Sequence, residues 1–550
     1  MRSVFIKTCA VSVLAMAALV AAEGTSSAQV TGPSSSQSPY ALPLATGVQT
    51  KSILSVADQV PAAGGIGTYR MVGIPDGLGA FDNLDGTFTL VMNHELGNAV
   101  GVNRAHGAKG AFVSRWVINK ATLQVISGAD LMQQVFLWDA ANQVSSAVPS
   151  PFAFNRFCSG DLPPVSAFFN AATGLGTQAR IYMHGEEGGS TGFQMGTVVT
   201  GASAGNAYVL GKFNLNQNGS GINAVGAWEN SLASPFAQDK TVVVSNSDGG
   251  SGIMTNTVSV YVGTKQAVGS EVDRAGLTNG TLKFISVAGN ATEIVNTTTR
   301  ATNITNGTRF TLNAAASTTF SRPEDGAWNP LNPREYYFVT TDQLDLASDG
   351  LGVQVGQTRF WRLTFDDITD PNLGGKIDLL IDGRVVGGQK VNMFDNITVN
   401  PSTGLILIQE DVGNAAHNGK IWQYNPSNDV LERVLRHDPS RFGDVGLSAT
   451  APFNQDEETS GVLDVSAILG PNMYLTSDQA HYAINAANPN GFTNPDELVE
   501  GGQLMTFGIT AAASVPALPN PWLALCATLV AGAGMLLVRR ARVAPRSVAL

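Results

Sequence analysis

Cysteine is almost missing from this chain. Its 550 residues hold 3, at Cys9, Cys158 and Cys526. The first and last lie in apolar stretches at the two ends, so the central body carries one thiol and no partner for a disulfide. An odd thiol in a chain that reads as exported points to a reactive or metal-bound sulfur. The alternative is a buried cysteine packed as a small hydrophobe. Positive charge is also short. The chain has 32 Lys and Arg against 43 Asp and Glu, a net charge of −11 and a pI of about 5.0. That excludes the basic face a nucleic-acid binder needs. Two strings match Gly-x-Ser-x-Gly, "GGSTG" at 188–192 and "GASAG" at 201–205, but neither opens a helical pattern as a nucleophile elbow does, and no phosphate-cradling P-loop is present, so serine-triad and P-loop chemistry are not expected. Few segments have the apolar spacing of a helix.

The two ends read as targeting segments. Arg2 and Lys7 flank and enter an apolar run, "CAVSVLAMAALVAA", and "SSA" ends at Ala28, which predicts a signal peptide over residues 1–28. Near the other end "SVPALPNP" precedes an uncharged run, Trp522–Val538, and Arg539, Arg540, Arg542 and Arg546 follow. This predicts a transmembrane helix near the lower length limit, with the arginines cytoplasmic and the body outside. The spacer, span and basic tail resemble bacterial sorting signals of the PEP-CTERM type. The expectation is an extracytoplasmic protein of the bacterial envelope or surface, anchored in the membrane or processed by a sorting enzyme. Residues 29–69 read as an N-terminal extension, 70–510 as the main domain, and 511–550 as spacer, helix and tail.

What the body does have is glycine, 60 residues of it, and short apolar runs bounded by turn residues. That pattern is all-β. Six runs finish on a carboxylate: "GTFTLVMNHE" at Glu95, "ARIYMHGEE" at Glu187, "KTVVVSNSD" at Asp248, "EYYFVTTD" at Asp342, "GLILIQED" at Asp411 and "NMYLTSD" at Asp478. Each is followed by a second strand-like run, such as "RFWRLTF" or "KIWQYNP". Copies of one two-strand unit predict a six-bladed β-propeller with long inter-strand loops; a pair of β-sandwich domains is the alternative. The Asn/Thr-rich stretch 276–318 reads as an inserted loop or extra hairpins. In a propeller the strand ends meet at one mouth, crowding Glu95, Glu186, Glu187, Asp248, Asp342, Glu410 and Asp478 there. Close anions raise one another's pKa unless a cation neutralises them. Hard cations such as calcium take carboxylate oxygens. His94, His106 and His184 near these turns read as structural.

Several segments, in order, resemble the PhoX-type alkaline phosphatase family: "NRFCSG", "HGEEGG", "GAWENS", "FSRPEDGAWNP", "FDNITVNPSTGLILIQED" and "DEETSGVLDVSAILGPNMYLTSDQAHY". The resemblance covers most of residues 70–508. It implies a six-bladed propeller with an iron pair and calcium ions at one mouth, hydrolysing small phosphomonoesters as a monomer. Carried over residue by residue, Cys158 becomes an iron ligand, Glu229 and Glu324 carboxylate ligands of the metal site, and Glu187 or Glu186 a calcium or iron ligand. Glu95, Asp395 and Glu410 join the metal site, and Arg322 becomes the phosphate clamp. The interval from Cys158 to Glu186 is longer than the family's and lacks its tryptophan, and residues 1–28 contain no Arg-Arg pair; both shift the expected metals from Fe3+ toward Ca2+. Two other readings stay open: a calcium-dependent propeller hydrolase of the phytase or lactonase kind, and a non-enzymatic surface propeller with structural calcium.

Overall fold

Alternating apolar residues in runs of five to eight build antiparallel sheets here, as a period of two requires. Strand accounts for 48% and helix for 5%, so the all-β expectation holds. The structure is a computed structural model describing residues 28–189, 191–214, 226–249, 256–296, 301–314, 318–341, 358–383, 391–413 and 415–510.

The first sheet is Pro75–Asp82, Thr87–His94, Phe112–Asn119 and Val125–Asp130. The second is Phe157–Asp161, Ile181–Glu186, Gln194–Val198 and Asn206–Val209, edged by Gln134–Phe136. The third runs Trp228–Ala233, Lys240–Ser247, Val258–Thr264, Thr281–Val287, and the fourth Pro323–Trp328, Glu335–Thr341, Thr358–Phe365, Gly375–Asp382. Thr308–Asn313 pairs antiparallel with the last strand of both and joins them into one sheet. The stretch 276–318 thus supplies two ladder strands. The fifth sheet is Phe394–Val399, Ile406–Glu410, Lys420–Asn425 and Val430–His437, and the sixth holds Glu457–Asp464, Met473–Ile484 and Val499–Ile509.

In each sheet the first strand is innermost. These inner strands touch in cyclic order, 75–82 to 157–161, 228–233, 323–328, 394–399, 457–464 and back to 75–82. The architecture is a β-propeller. Its sheets pack through apolar faces. Indoles on third strands lock them: Trp116, Trp361 and Trp422 are fully buried, and their Nε1 donates to Ser114 Oγ, Thr340 Oγ1 and Glu410 Oε1 at 2.8, 3.0 and 2.8 Å.

Residues 29–69 are woven into these sheets. Val48–Ser55 is the fourth strand of the sixth sheet, paired with Val499–Ile509, and Ala41–Pro43 edges the fifth. The sixth sheet therefore joins both ends of the body, which leaves no open edge between its first and last strands. Leu54, fully buried in the core beside Leu504 and Phe507, measures that closure. Leu54→Ala is expected to lower stability by about 3 kcal/mol, as large-to-small core changes do, read as a lower urea midpoint.

Ser26–Ile509 forms one unit; Met1–Thr25 with Thr510–Leu550 forms another, and of that second unit only Thr510 is described. Of the predicted signal peptide, residues 1–28, only Ala28 is described, at the start of the strand Ala28–Val30; residues 1–27 lie outside the described residues. The predicted membrane anchor needs correcting. No helix among the described residues is long and apolar enough to cross a membrane, and residues 511–550 lie outside them. Physically the prediction rested on a 17-residue run, which as a helix spans only about 26 Å against a hydrocarbon core of about 30 Å.

Candidate metal centre

One small backbone motif builds the site, and it recurs from sheet to sheet. The chain enters each inner strand through a left-handed residue: Ile74 (φ 50°), Arg156 (56°), Ala227 (53°), Arg322 (44°) and Met393 (39°). Such a conformation costs a non-glycine residue about 1 kcal/mol or more, so the surrounding hydrogen bonds must hold it. They do. The carbonyl of each accepts from the N–H at the end of the second strand or just past it, at Glu95, Glu187, Asp248, Thr341 and Asp411, over 2.9–3.0 Å. Two residues further on, the inner strand presents Asp76, Cys158, Glu229, Glu324 or Asp395. At that point its pairing slips by a bulge, and bulges re-aim side chains. The sixth sheet gives a looser version, with His481 N–H donating to Asp456 O at 3.3 Å and Glu458 on the inner strand.

The result is an arc of donors around one mouth. Four overlapping groups each bring ligand atoms within 4.8 Å of one another: Asp76–Glu95–Cys158, Cys158–Glu187–Glu229, Glu229–Glu324–Asp395 and Asp395–Asp411–Glu458. Cys158, Glu229 and Asp395 are each shared by two groups, so the arc is continuous. Cys158 is free and buried, and its Sγ donates to Asp76 Oδ2 at 3.2 Å. Ser159 Oγ donates to Glu229 Oε1 at 2.6 Å. At the other end of the inner strands lies a cavity of about 250 Å³ lined by Leu78, Asp161, Leu232, Asp325 and Val462.

Three cations stand against ten carboxylates and the thiol. Arg156 Nη2 meets Glu95 Oε1 at 2.7 Å and also Glu187. Arg322 Nη2 meets Asp248 Oδ2 at 2.8 Å and Glu324 Oε1 at 3.0 Å. His481 Nδ1 meets Glu500 Oε2 at 2.7 Å and its Nε2 faces Glu458 at 3.9 Å. Hydrogen bonds from His481 and Ser460 offset burial and hold the Glu458 carboxyl low. Seven other groups of the arc are pushed the other way. Burial, then neighbouring carboxylates, drives Asp76, Cys158 and Asp395 well above their ordinary range. Burial raises Glu187 and Glu324 too, although Arg156 and Arg322 pull them back. Glu229 rises to about 8 and Asp411 to about 7, burial first in each. Asp76 Oδ1 and Asp248 Oδ1 are buried without a hydrogen-bond partner among the described residues. Desolvated carboxylates with idle oxygens fit divalent cations, whose charge would reverse these shifts. The oxygen-only groups suit a hard ion; the two groups containing Cys158 also suit a softer transition ion.

Of the sequence-derived residues, Glu95, Cys158, Glu187, Glu229, Glu324 and Asp395 come together in the arc, with Arg322 beside it. Two do not. Glu186 accepts the backbone N–H groups of Asn155 and Phe193 at 2.8 and 2.9 Å. Glu410 accepts Asn392 N–H at 2.9 Å and the Trp422 indole at 2.8 Å. Successive residues of a strand face opposite ways, so Glu187 and Asp411 face the mouth while Glu186 and Glu410 tie down loops and a neighbouring strand. Asp478 is also off the mouth, fully buried against His437 Nε2 at 2.9 Å; His481 takes the equivalent place. Asp342 lies outside the described residues, and Thr341 fills the position it was given. His94 bonds Ser114 and Gly73, His184 bonds Thr197, and neither they nor His106 belong to the arc. Asp76, Asp411, Glu458 and Arg156 were missed. A signal for the inner strands was present: "IPD", "RFC", "AWE", "RPE" and "MFD" each put a Pro or aromatic residue between the left-handed position and the donor. Asp411→Asn is expected to raise the calcium concentration needed for half-maximal thermal stabilisation about tenfold. Glu410→Gln should leave that concentration unchanged.

No protein-family model matches the chain, and no curated protein matches it. Solved structures of low similarity are found. A putative 6-phosphogluconolactonase from Bacteroides uniformis is 12% identical, with 76% of this chain and 99% of that one covered at a TM-score of 0.27. An α-L-arabinofuranosidase from Fusarium graminearum is 7% identical, covering 79% and 92% at 0.38. An oligogalacturonate lyase from Vibrio parahaemolyticus is 7% identical, covering 80% and 100% at 0.28. At these scores the likenesses add nothing to the site geometry.

Proposed function

We propose that this protein is a six-bladed propeller hydrolase that cleaves small phosphomonoesters with the help of metal ions held along the arc. One observation carries the reading: a continuous run of buried donors, including a thiol, with a guanidinium tied into it at Arg322. A phosphomonoester dianion needs charge neutralisation and a fixed orientation. Cations held by Glu229, Glu324, Asp395 and their neighbours would supply Lewis acidity toward the phosphoryl oxygens. Arg322, anchored by Asp248 and Glu324, offers a planar fork matched to phosphate. Calcium is proposed for the oxygen-only groups and iron for the groups containing Cys158. The test is hydrolysis of p-nitrophenyl phosphate by the purified protein, with elemental analysis of its metals. Activity on this substrate with bound metal supports the reading; activity only on p-nitrophenyl acetate, or none, overturns it.

A second reading is favoured by the Asp395–Asp411–Glu458 group, which has no sulfur. A calcium-dependent hydrolase of the phytase or lactonase kind would use such a site and would be indifferent to Cys158.

A further inference from the structure

We propose that the phosphoryl group is gripped by two guanidinium arms, Arg156 as well as Arg322, with the anion lying between them over Glu229. This rests on the phosphomonoesterase reading and specifies which side chains select a dianion.

The two arginines are structural equivalents. Each occupies the left-handed position two residues before an inner-strand donor, Arg156 before Cys158 and Arg322 before Glu324. The same position holds the uncharged Ile74, Ala227 and Met393 in the other sheets that share this conformation. The arginines belong to the second and fourth sheets and so flank the third, which contributes Glu229. Between them the third sheet places Ala227, the smallest side chain at this position. Glu229 is also where two donor groups meet, Cys158–Glu187–Glu229 and Glu229–Glu324–Asp395. Both arms therefore stand beside the stretch of the arc that Glu229 joins.

Each arm is held and yet has donors to spare. Arg156 uses Nε and Nη2 on Glu95 and Glu187. Arg322 uses Nε and Nη2 on Asp248 and Glu324. A guanidinium has five N–H groups in a rigid fork. Among the described residues no acceptor meets Nη1 of either arginine, which leaves two N–H donors on each. Both side chains reach solvent, at 49% exposure for Arg156 and 24% for Arg322. Anchoring by carboxylates fixes the forks before a ligand arrives, so little side-chain entropy is lost on binding. A tetrahedral dianion has oxygens enough for both forks and for metal ions together; a neutral lactone or glycoside does not.

Inorganic phosphate is the probe, titrated at pH 8 by calorimetry into the full protein with its own metals. The wild type should bind it. Arg156→Gln and Arg322→Gln should each weaken binding at least tenfold, the range expected for lost hydrogen bonds to a charged group. Arg156→Lys should weaken it about threefold or more, because a lysine lacks the fork. KM for p-nitrophenyl phosphate should rise in parallel. Phosphate affinity at the wild-type level in Arg156→Gln, with metal content intact, would overturn the second arm while leaving Arg322 and the phosphatase reading standing. If Arg156→Gln loses metal, Arg156→Lys decides, and wild-type affinity there overturns the proposal. A wild-type protein that neither binds phosphate nor hydrolyses the ester removes both readings at once.

Discussion

Cys158→Ala should remove p-nitrophenyl phosphate hydrolysis, by about 100-fold or more, while the protein stays folded. The thiol belongs to two of the four donor groups, so its loss opens both. It sits at a bulge where the inner strand has already left regular pairing, and the apolar packing of the second sheet does not depend on it. A metal-bound thiolate is deprotonated by its ion. It should therefore resist alkylation in the isolated protein and become reactive once the metal is stripped and the thiolate exposed at high pH. Cys158→Ser should not restore activity, since a hydroxyl is a poor substitute for a soft thiolate. Metal content and activity measured on the alanine variant decide the matter. A protein that keeps both shows Cys158 to be a small buried side chain.

Chelation should lower the melting temperature by several degrees, and the loss should grow with pH. A ligand that binds only the native state adds RT ln(1 + [L]/Kd), about 2.7 kcal/mol at a hundredfold excess for one site, and the arc offers several groups. The pH dependence follows from the raised carboxyls. In the metal-free protein Glu229 titrates near 8 and Asp411 near 7, against about 4 unfolded. The native state then holds protons that the unfolded chain has released. That contribution to stability is complete below about pH 4 and is lost as pH rises through the folded values of 7 to 8. A bound cation would replace those protons, so its stabilising effect should be small near pH 5 and largest above pH 8. Melting curves with and without chelator at these pH values check it. Equal curves at pH 8.5 would remove the cations from the arc.

Much of the fold could be read along the chain. Second strands such as Thr87–His94 and Lys240–Ser247 are long, apolar and end on acid, so their ends at Glu95 and Asp248 were placed correctly. Inner strands were harder. Pro75–Asp82 begins with a proline and carries three glycine or proline residues among its first five, so it resembles a turn. Yet it brings Asp76 to the arc. Locally the segment 29–69 forms only three-residue pairings, Val48–Ser55 with Ala28–Val30 and Gln59–Pro61 with Thr68–Arg70; the return of Val499–Ile509 to the same edge gives Val48–Ser55 its full-length partner.

By itself the sequence determined the all-β class, the repeated acid-ended strand and the single unpaired thiol, because these follow from composition and a local period of two. Tertiary structure decided which acid of each adjacent pair serves the site. Glu186 and Glu187, or Glu410 and Asp411, are interchangeable on the page, but a one-residue step turns a side chain to the opposite face. Bulge position and ring closure set that step, and both depend on contacts between strands far apart in the chain. The same closure brings Asp76 and Glu458, from nearly opposite ends of the body, to one mouth with Cys158.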